Sequence, residues 1–211
     1  MKSKEIDMSI EPIRLFNSDW IEFFTHVSPI TVLVIWLPLI FFFIYLSYEN
    51  FSGFTWVIPI GMIAGLFLWT FAEYMLHRFV FHFPAKTGWQ ERISYLFHGI
   101  HHHQPKVKTR LVMPPALSIP LALVFYGFFY LIFNIVMQVE FLTYPIFAGF
   151  VLGYVVYDMI HYSTHHIPMK KGYLRVLRQQ HMHHHFQTPD QRFGVTSPLW
   201  DYVFNTIPKK P

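Results

Sequence analysis

Four long stretches without charged residues constrain this sequence more than any other feature. The first lies between Glu22 and Glu49, and the second runs from Asn50 to Ala72. A helix needs roughly 20 mainly apolar residues to cross the hydrocarbon core of a bilayer. The sequence therefore predicts an integral membrane protein with four spans, at about residues 30–48, 54–72, 117–139 and 141–157.

The composition agrees with a membrane protein. Charged residues make up 13% of the 211-residue chain, against about 25% in ordinary soluble domains. The chain contains no cysteine, which excludes disulfide bonds, iron–sulfur clusters and cysteine-ligated zinc. No basic helix with interleaved base-reading residues is evident, so nucleic acid is not an expected partner.

The positions of lysine and arginine predict the orientation of the spans. All 16 of these residues lie in Lys2–Arg14, Arg78–Arg110 and Lys170–Lys210, and the short loops within the two pairs of spans contain none. Positive charge is concentrated in cytoplasmic loops. We therefore predict a multi-pass protein with both termini in the cytoplasm, in a bacterial inner membrane or in the endoplasmic reticulum.

The predicted fold class is an all-α membrane protein. Its four transmembrane helices form two antiparallel hairpins, and a cytoplasmic helical cap carries clusters of histidine. Residues 1–29 are predicted to be a cytoplasmic segment, and residues 30–211 a single integral-membrane domain. Because the N-terminal segment has no continuous apolar core before a cleavage site, we expect no cleaved signal peptide.

Histidine is unusually frequent, and its placement says more than its number. Of the 14 histidines, all but His26 lie in four clusters on the predicted cytoplasmic side, at 77–82, 98–103, 161–166 and 181–185. Histidines at positions i, i+3 and i+4 share one face of a helix. His77 and His82 are five residues apart, which places them about 140° apart around a regular α-helix. We therefore expect them to straddle a helix end; the alternative is that one of them reaches a shared metal ion from the following loop.

Imidazoles that project together can bind a metal ion, and there are enough of them here for two ions. The ten candidate ligands are His77, His82, His98, His101, His102, His161, His165, His181, His184 and His185. We interpret His26 as a hydrogen-bonded core residue. His103, His166 and His183 adjoin better-phased ligands, so we predict that they surround the ligands or face solvent, with additional ligation as the alternative.

Three carboxylates are candidates to support the ligands. Glu73 lies four residues before His77, and Asp158 lies three before His161, so each shares a helix face with its histidine. A metal-bound imidazole usually donates its other N–H to a carboxylate or a carbonyl. We predict this supporting role for Glu73 and Asp158, and for Asp201 further along the chain; the alternative is that Glu73 and Asp158 are interfacial charges at span ends.

The ligand type alone does not identify the metal, since imidazole suits iron, zinc, copper and nickel. The expected position, at the cytoplasmic rim of four apolar helices, favours chemistry on lipid. Attack on an unactivated C–H bond requires metal-activated oxygen, for which the protein positions the substrate and tunes the ligands. A pair of irons is one centre that is able to supply the electrons needed to split O₂.

The sequence resembles the fatty acid hydroxylase superfamily, which is sterol desaturase-like, and within it the fatty acid 2-hydroxylase branch that acts on sphingolipid acyl chains. The resemblance covers roughly residues 67–208. The matching motifs are Glu73–His82, Phe97–His102, Thr109–Pro115, Gly153–His165, His181–Phe186 and Phe193–Phe204.

The resemblance implies that the same ten histidines bind a dimetal centre. It implies two iron ions in the working enzyme, with zinc possible in purified protein. The implied reaction is the insertion of one oxygen atom from O₂ at C2 of a fatty acyl chain, in a lipid or a free fatty acid. Electrons are expected from a separate carrier, cytochrome b5-like or ferredoxin-like, because residues 1–29 are too few for a haem domain.

Two other functions are considered. The first is a hydroxylase or desaturase of another lipid, such as a sterol or carotenoid, with the same histidine centre. The motifs Thr109–Pro115 and Phe193–Phe204 favour the acyl 2-hydroxylase, because they lie outside the shared histidine clusters. The second is a membrane metal transporter, which would place ionisable residues along its spans. The span interiors are nearly free of such residues.

Overall fold

The structure, a computed structural model, describes residues 6–208, and this part of the chain is helical without β-strands. Its α-helices are α1 (Asp19–Phe23), α2 (Pro29–Asn50), α3 (Val57–Met75), α4 (Gly88–Ser94), α5 (Ile100–His103), α6 (Pro115–Tyr130), α7 (Thr143–His166), α8 (Gly172–Phe186) and α9 (Leu199–Val203). π-helical turns follow α3, α4 and α6, at Leu76–Phe81, Tyr95–Gly99 and Leu131–Val136. Short 3-10 turns cover Lys108–Arg110 and Glu140–Leu142.

Four helical segments are long and apolar enough to cross a membrane. They are Pro29–Asn50, Val57–Phe81, Lys108–Val136 and Glu140–His166. The second segment passes the predicted span end at residue 72, and the fourth passes residue 157. Both extensions carry histidines of the predicted clusters, so two of the long apolar segments also carry candidate ligands at their C-terminal ends.

The membrane orientation stays a prediction. Among the basic residues on which it depends, four lie outside the described residues: Lys2, Lys4, Lys209 and Lys210. The pairing of the spans into hairpins, the cytoplasmic position of the cap and the single domain over residues 30–211 likewise stay predictions.

Contacts divide the chain into two compact units. The apolar unit comprises Pro29–Trp69 and Met113–Val156, and so contains α2, α6 and the first parts of α3 and α7. The histidine unit comprises the N-terminal segment up to Ser28, Thr70–Val112 and the chain from Tyr157 onward. It contains α1, α4, α5, α8, α9 and the ends of α3 and α7.

Within the apolar unit, glycine lets α3 and α7 approach backbone to backbone. A Cβ atom on Gly65 would lie 2.0 Å from the carbonyl oxygen of Ile146, and one on Gly149 would lie 2.0 Å from that of Met62. Small residues of this kind allow close packing of membrane helices. These two positions therefore fix the spacing of α3 and α7.

Aromatic rings fill most of the remaining interior of the apolar unit. The ring centroids of Trp36 and Tyr154 are 5.3 Å apart, and those of Phe43 and Phe147 are 4.8 Å apart, both edge to face. A small apolar pocket remains among α2, α3, α6 and α7. A unit of this kind is suited to contact with lipid chains.

The histidine unit has a different interior, because many of its buried side chains are polar. The most deeply buried include Glu73, His77, Gln104, Asp158, Thr164, His181, His184 and Asp201. Buried polar groups are retained where each finds a partner or a ligand. This unit is therefore the part of the described chain in which a chemical site is expected.

Candidate metal centre

The ten predicted ligands lie in two groups of five. The first histidine group consists of His77, His82, His98, His102 and His184. The second histidine group consists of His101, His161, His165, His181 and His185. In each group the side chains offer one nitrogen apiece, and these nitrogens all lie within 4.8 Å of one another.

A π-helical turn explains how His77 and His82 join the same group. The backbone N–H of His82 donates to the carbonyl of His77 at 3.1 Å, an i to i+5 hydrogen bond. Such a bond belongs to the wider π-helix, in which residues five apart lie nearly above one another. His77 lies in this turn and His82 directly after it, so the helix end brings the pair together.

Two of the other clusters, at 98–103 and 181–185, divide their histidines between the two groups by helix position. On α8, His181 and His185 are four residues apart and belong to the second group, while His184 belongs to the first. The assignment is reversed in the π-helical turn after α4 and in the helix that follows it, α5. There His98 and His102 belong to the first group, and His101 belongs to the second. In both places an i, i+4 pair serves one group and the residue between serves the other.

The nitrogen–nitrogen distances match those of ligands around a shared ion. In the first group, His77 Nε2 and His102 Nε2 each lie 3.0 Å from His98 Nε2. In the second group, His161 Nε2 lies 2.8 Å from His101 Nε2. Nitrogens that are each about 2.0–2.1 Å from one ion are separated by about 2.8–3.4 Å.

Backbone carbonyls fix the tautomers of two histidines in the first group. His77 donates from Nδ1 to the carbonyl of Phe193 at 2.6 Å, and His184 donates from Nδ1 to that of Gln191 at 2.7 Å. A neutral imidazole has one N–H, so Nε2 of each ring carries a lone pair. These lone pairs point into the group, where a metal cation would satisfy them.

The loop that supplies these carbonyls is held by two buried carboxylates. Glu73 Oε1 accepts from the backbone N–H groups of Val195 and Thr196, at 2.6 and 2.8 Å. Asp201 accepts from the N–H groups of Phe193 and Gly194, both at 2.8 Å. The carboxylates thereby fix the loop whose carbonyls orient the histidines.

The contacts of the predicted supporting carboxylates differ from those expected. Glu73 shares a helix with His77 but hydrogen-bonds to the loop, because the Nδ1 of His77 is taken by the nearer carbonyl of Phe193. Among the described residues, Nδ1 of His161 has no hydrogen-bond partner, so the expected bond to Asp158 is not seen. Support of the ligands by Glu73, Asp158 and Asp201 stays a prediction, now through the loop for Glu73 and Asp201.

The remaining histidines lie outside both groups. His103 Nδ1 is 2.7 Å from the hydroxyl of Tyr95. Neither His166 nor His183 belongs to a group. His26 is half-buried, and its Nδ1 lies 2.8 Å from the Thr109 hydroxyl, which agrees with a hydrogen-bonded structural residue.

Burial keeps the candidate ligands that lie outside the membrane-spanning segments in the neutral form, as four of them show: His98, His102, His181 and His184. Loss of solvent, and then repulsion between neighbouring histidines, lowers the pKa of His98, His102 and His181 well below its usual value. The pKa of His184 is lowered in the same way. Neutral imidazole is the form that binds metal, so the site favours ligation over protonation at physiological pH.

The two groups lie side by side. The rings of His102, in the first group, and His185, in the second, stack with centroids 4.0 Å apart. In the second group, four Nδ1 atoms have no hydrogen-bond partner among the described residues: those of His101, His161, His181 and His185. In the first group, by contrast, Nδ1 of His77 and of His184 each bond to a backbone carbonyl. The arrangement fits two adjacent ions, each with imidazole ligands.

Sequence reasoning missed the groups around the ligands. The carbonyls of Gln191 and Phe193 leave no mark in the sequence, because every residue has one. Tyr95, whose hydroxyl contacts His103, and Gln104, at the end of α5, also went unpredicted. The signal for Gln104 was its position beside a histidine cluster, but that position does not reveal its partners.

Known proteins resemble this chain closely. The family model described as fatty acid hydroxylase matches residues 62–206. A dihydroceramide fatty acyl 2-hydroxylase of Arabidopsis thaliana is 41% identical over 197 residues, which cover 92% of this chain and 80% of the plant protein. Fatty acid 2-hydroxylase of Homo sapiens is 38% identical over 221 residues, covering 95% of this chain but 58% of the human protein.

One solved structure has the same fold. It is described as full-length scs7p with only the hydroxylase domain visible. It matches with a TM-score of 0.83 and 34% sequence identity, over 92% of this chain and 72% of that one.

Proposed function

The chain belongs to the fatty acid hydroxylase family, and from this premise we propose that it is an O₂-dependent dimetal enzyme that hydroxylates C2 of a fatty acyl chain. Each histidine group binds one metal ion, iron in the working enzyme, although zinc fits the same imidazoles in purified protein. The observation that carries the proposal is the convergence of ten imidazole nitrogens into two adjacent groups.

The reaction consumes one O₂, two electrons and two protons. A C–H bond at C2 is broken, one oxygen atom becomes the hydroxyl of the product, and the other leaves as water. When bound, the two metals supply the redox chemistry that activates O₂. The protein contributes the positions of the ligands: carbonyls of residues 191 and 193 orient His184 and His77, and burial keeps bulk water from both groups.

The substrate is an acyl chain of a membrane lipid or a free fatty acid. The relatives are named for fatty acyl chains of dihydroceramide or ceramide. In this chain, four helical segments suit contact with a bilayer, and the apolar pocket among α2, α3, α6 and α7 suits an aliphatic chain. Both features support a lipid substrate over a soluble one.

An external carrier supplies the electrons, and a cytochrome b5-like or ferredoxin-like protein fits that role. Lys170, Lys171 and Arg175 are exposed at the start of α8, the helix that carries His181, His184 and His185. A carrier with an acidic surface would be attracted to this basic face.

The protein is an integral membrane protein, as its four apolar helices and its relatives support. We propose that its spans pair as two hairpins and that both termini and the histidine unit face the cytoplasm. A bacterial inner membrane and the endoplasmic reticulum both suit this orientation.

Mass spectrometry of cellular lipids tests the proposed reaction. Cells that express the wild-type chain should accumulate lipids with one added oxygen located at acyl C2. His184→Ala, which removes a ligand of the first group, should reduce this product to the level of cells without the gene. The matched control is His183→Ala, which alters the neighbouring histidine outside both groups and should retain most of the product.

Other products would redirect or overturn the proposal. A new double bond, or oxygen on a sterol or carotenoid, would support a different reaction at the same centre. No oxygenated lipid from the wild-type chain would contradict it, and movement of metal across the membrane in its place would support a transporter.

A further inference from the structure

Helix α5 gives ligands to both histidine groups. It has four residues, Ile100–His103, and gives His101 to the second group and His102 to the first. It is the last turn of a helical segment that runs without a break from Gly88 through the π-helical turn at Tyr95–Gly99. The last carbonyls of a helix have no helical N–H partner, so contacts beyond the helix contribute to fixing the position of α5, and that position affects both groups at once.

The residue after α5 is fastened to the N-terminal segment. Gln104 ends the helix and is 2% exposed. Its side-chain Nε2 donates to Asp7 Oδ2 at 2.6 Å, to Ser9 Oγ at 3.2 Å and to the Glu11 carbonyl at 3.1 Å. Its Oε1 accepts from the backbone N–H of Ile13 at 3.0 Å. All of these side-chain bonds go to residues 7–13, which we call the strap.

A second contact joins the strap to α5 itself. The backbone N–H of Asp7 donates to the carbonyl of His103 at 2.8 Å. This carbonyl belongs to the last turn of α5, where no further helical N–H is available to it. The strap thus completes the C-terminus of the helix in addition to binding Gln104.

The far end of the strap is anchored separately. Arg110 donates to the Ile13 carbonyl and to Glu22 Oε1, both at 2.5 Å. Glu22 Oε2 in turn accepts from the backbone N–H groups of Leu15 and Phe16, at 3.0 and 2.9 Å. The strap is therefore held even if the bonds of Gln104 are lost.

Hydrogen bonds, and not apolar packing, hold the strap against Gln104. Met8, Ser9, Ile10, Glu11 and Pro12 are all exposed. A buried polar group that loses its hydrogen-bond partners destabilises the folded state, because it cannot bond to water in their place. The buried amide of Gln104 is consequently the part of this contact that a substitution can remove selectively.

We propose that Gln104 is a positioning residue: it locks α5 to the strap and thereby sets the positions of His101 and His102 relative to their partners in the two metal sites. The inference rests on the proposed function, because it takes both groups to be metal sites. It assigns the N-terminal strap a part in the metal centre, although the strap contributes no ligand.

Cobalt(II) bound to the purified full-length chain in detergent provides the probe. The visible absorption of cobalt(II) reports the geometry of its ligands, and its transfer to a chelator gives the rate of release. Gln104→Ala should shift the absorption bands and speed release about tenfold, within the range for groups that support metal ligands. The control is Gln180→Ala, beside the ligand His181, because the Oε1 of Gln180 has no hydrogen-bond partner among the described residues.

A rescue pair separates positioning from general loss of structure. Gln104→Glu removes the Nε2 donor and places a second carboxylate opposite that of Asp7, so cobalt release should accelerate. Adding Asp7→Asn restores a donor–acceptor pair between the two side chains but gives the Glu11 carbonyl no donor, so the double variant should regain part of the slow release and its bands should return toward those of the wild-type chain. Thermal unfolding of each variant shows whether the fold is intact.

The outcomes distinguish this inference from the proposed function. A wild-type chain that binds no cobalt overturns the metal assignment, and the positioning role falls with it. A wild-type chain that binds cobalt, with Gln104→Ala and Gln104→Glu unchanged in spectrum and release, overturns the positioning role alone. Failure of Asp7→Asn to rescue Gln104→Glu also counts against it.

Discussion

The carboxylate of Glu73 is buried close to the histidines, yet the bonds it makes are to a loop. It accepts from Val195 and Thr196, and the same loop presents the Phe193 carbonyl to His77. The order of influence therefore runs from carboxylate to loop, from loop to imidazole, and from imidazole to the proposed metal ion. Supporting partners of this kind commonly alter metal affinity without touching the ion.

Glu73→Ala should destabilise the protein and weaken the first group. It leaves two buried N–H groups and the Thr196 hydroxyl without an acceptor, and the free energy of unfolding should fall by about 2–4 kcal/mol. Thermal unfolding and metal content measure the two effects. Glu91→Ala, at an exposed position on α4, is the control, and equal behaviour of the two variants would refute the role of Glu73.

The buried histidines also predict how pH affects the metal-free protein. Loss of solvent holds the pKa of His98 and His181 well below 6.5 in the folded state. In the unfolded chain, the histidines have a pKa of about 6.5. Below about pH 6.5 the unfolded chain binds more protons, so stability present at neutral pH is lost as the pH falls. The unfolding midpoint of chelator-stripped protein should drop between about pH 7.5 and 5.5, and an unchanged or higher midpoint would contradict this account.

At the scale of elements, helix ends matter more than helix centres for the site. The π-helical turn at Leu76–Phe81 brings His77 and His82 into one group, and α7 continues to His166 to carry two further ligands. The membrane segments of α3 and α7 must then be correctly spaced for these ends to deliver their ligands.

Gly65→Leu should disrupt that spacing. Any Cβ at Gly65 would lie 2.0 Å from the Ile146 carbonyl oxygen and 2.6 Å from the Phe150 nitrogen, so α3 and α7 must move apart. We expect a lower unfolding temperature in detergent and loss of hydroxylated product. Gly127→Leu on α6, where a Cβ meets nothing within 4 Å, should change neither. Tolerance of Gly65→Leu would show that the close approach is not required.

The elements differed in how far the sequence predicted them. The lengths of the apolar stretches predicted four membrane segments, because the thickness of a bilayer dictates how long such a segment must be. Most ends of these segments lie within a few residues of their predicted positions. Periodicity selected eight of the ten histidines of the two groups, because helix geometry relates i to i+3 and i+4, whereas His77 and His82, five residues apart, were assigned to an expected helix end. The π-helical turn was not predicted, since it depends on how the end of α3 packs and not on a local motif.

The division of ligands between the groups also needed three-dimensional information. His101 and His102 are adjacent in sequence but belong to different histidine groups. The position of α5 decides which group each of them joins. The strap that fixes α5 is equally invisible in sequence, because Asp7 and Gln104 are 97 residues apart. Long-range pairs of this kind follow no periodicity.

At the scale of the whole molecule, each histidine group gathers side chains from distant parts of the chain. The first group combines residues from 77 to 184, and the second from 101 to 185. A ligand that binds only the folded state stabilises it, so metal should make these segments unfold together. Chelation should lower the unfolding temperature of the purified protein, and reloading with iron or zinc should restore it.

The number of metal ions bound per chain tests the central claim most directly. Elemental analysis of the purified wild-type protein should give two ions of iron or zinc per chain. His77→Ala and His161→Ala, which each remove a ligand from a different group, should each retain less, and the double variant least. A wild-type chain with one ion or none after metal loading, or a double variant that keeps both, would contradict the dimetal centre.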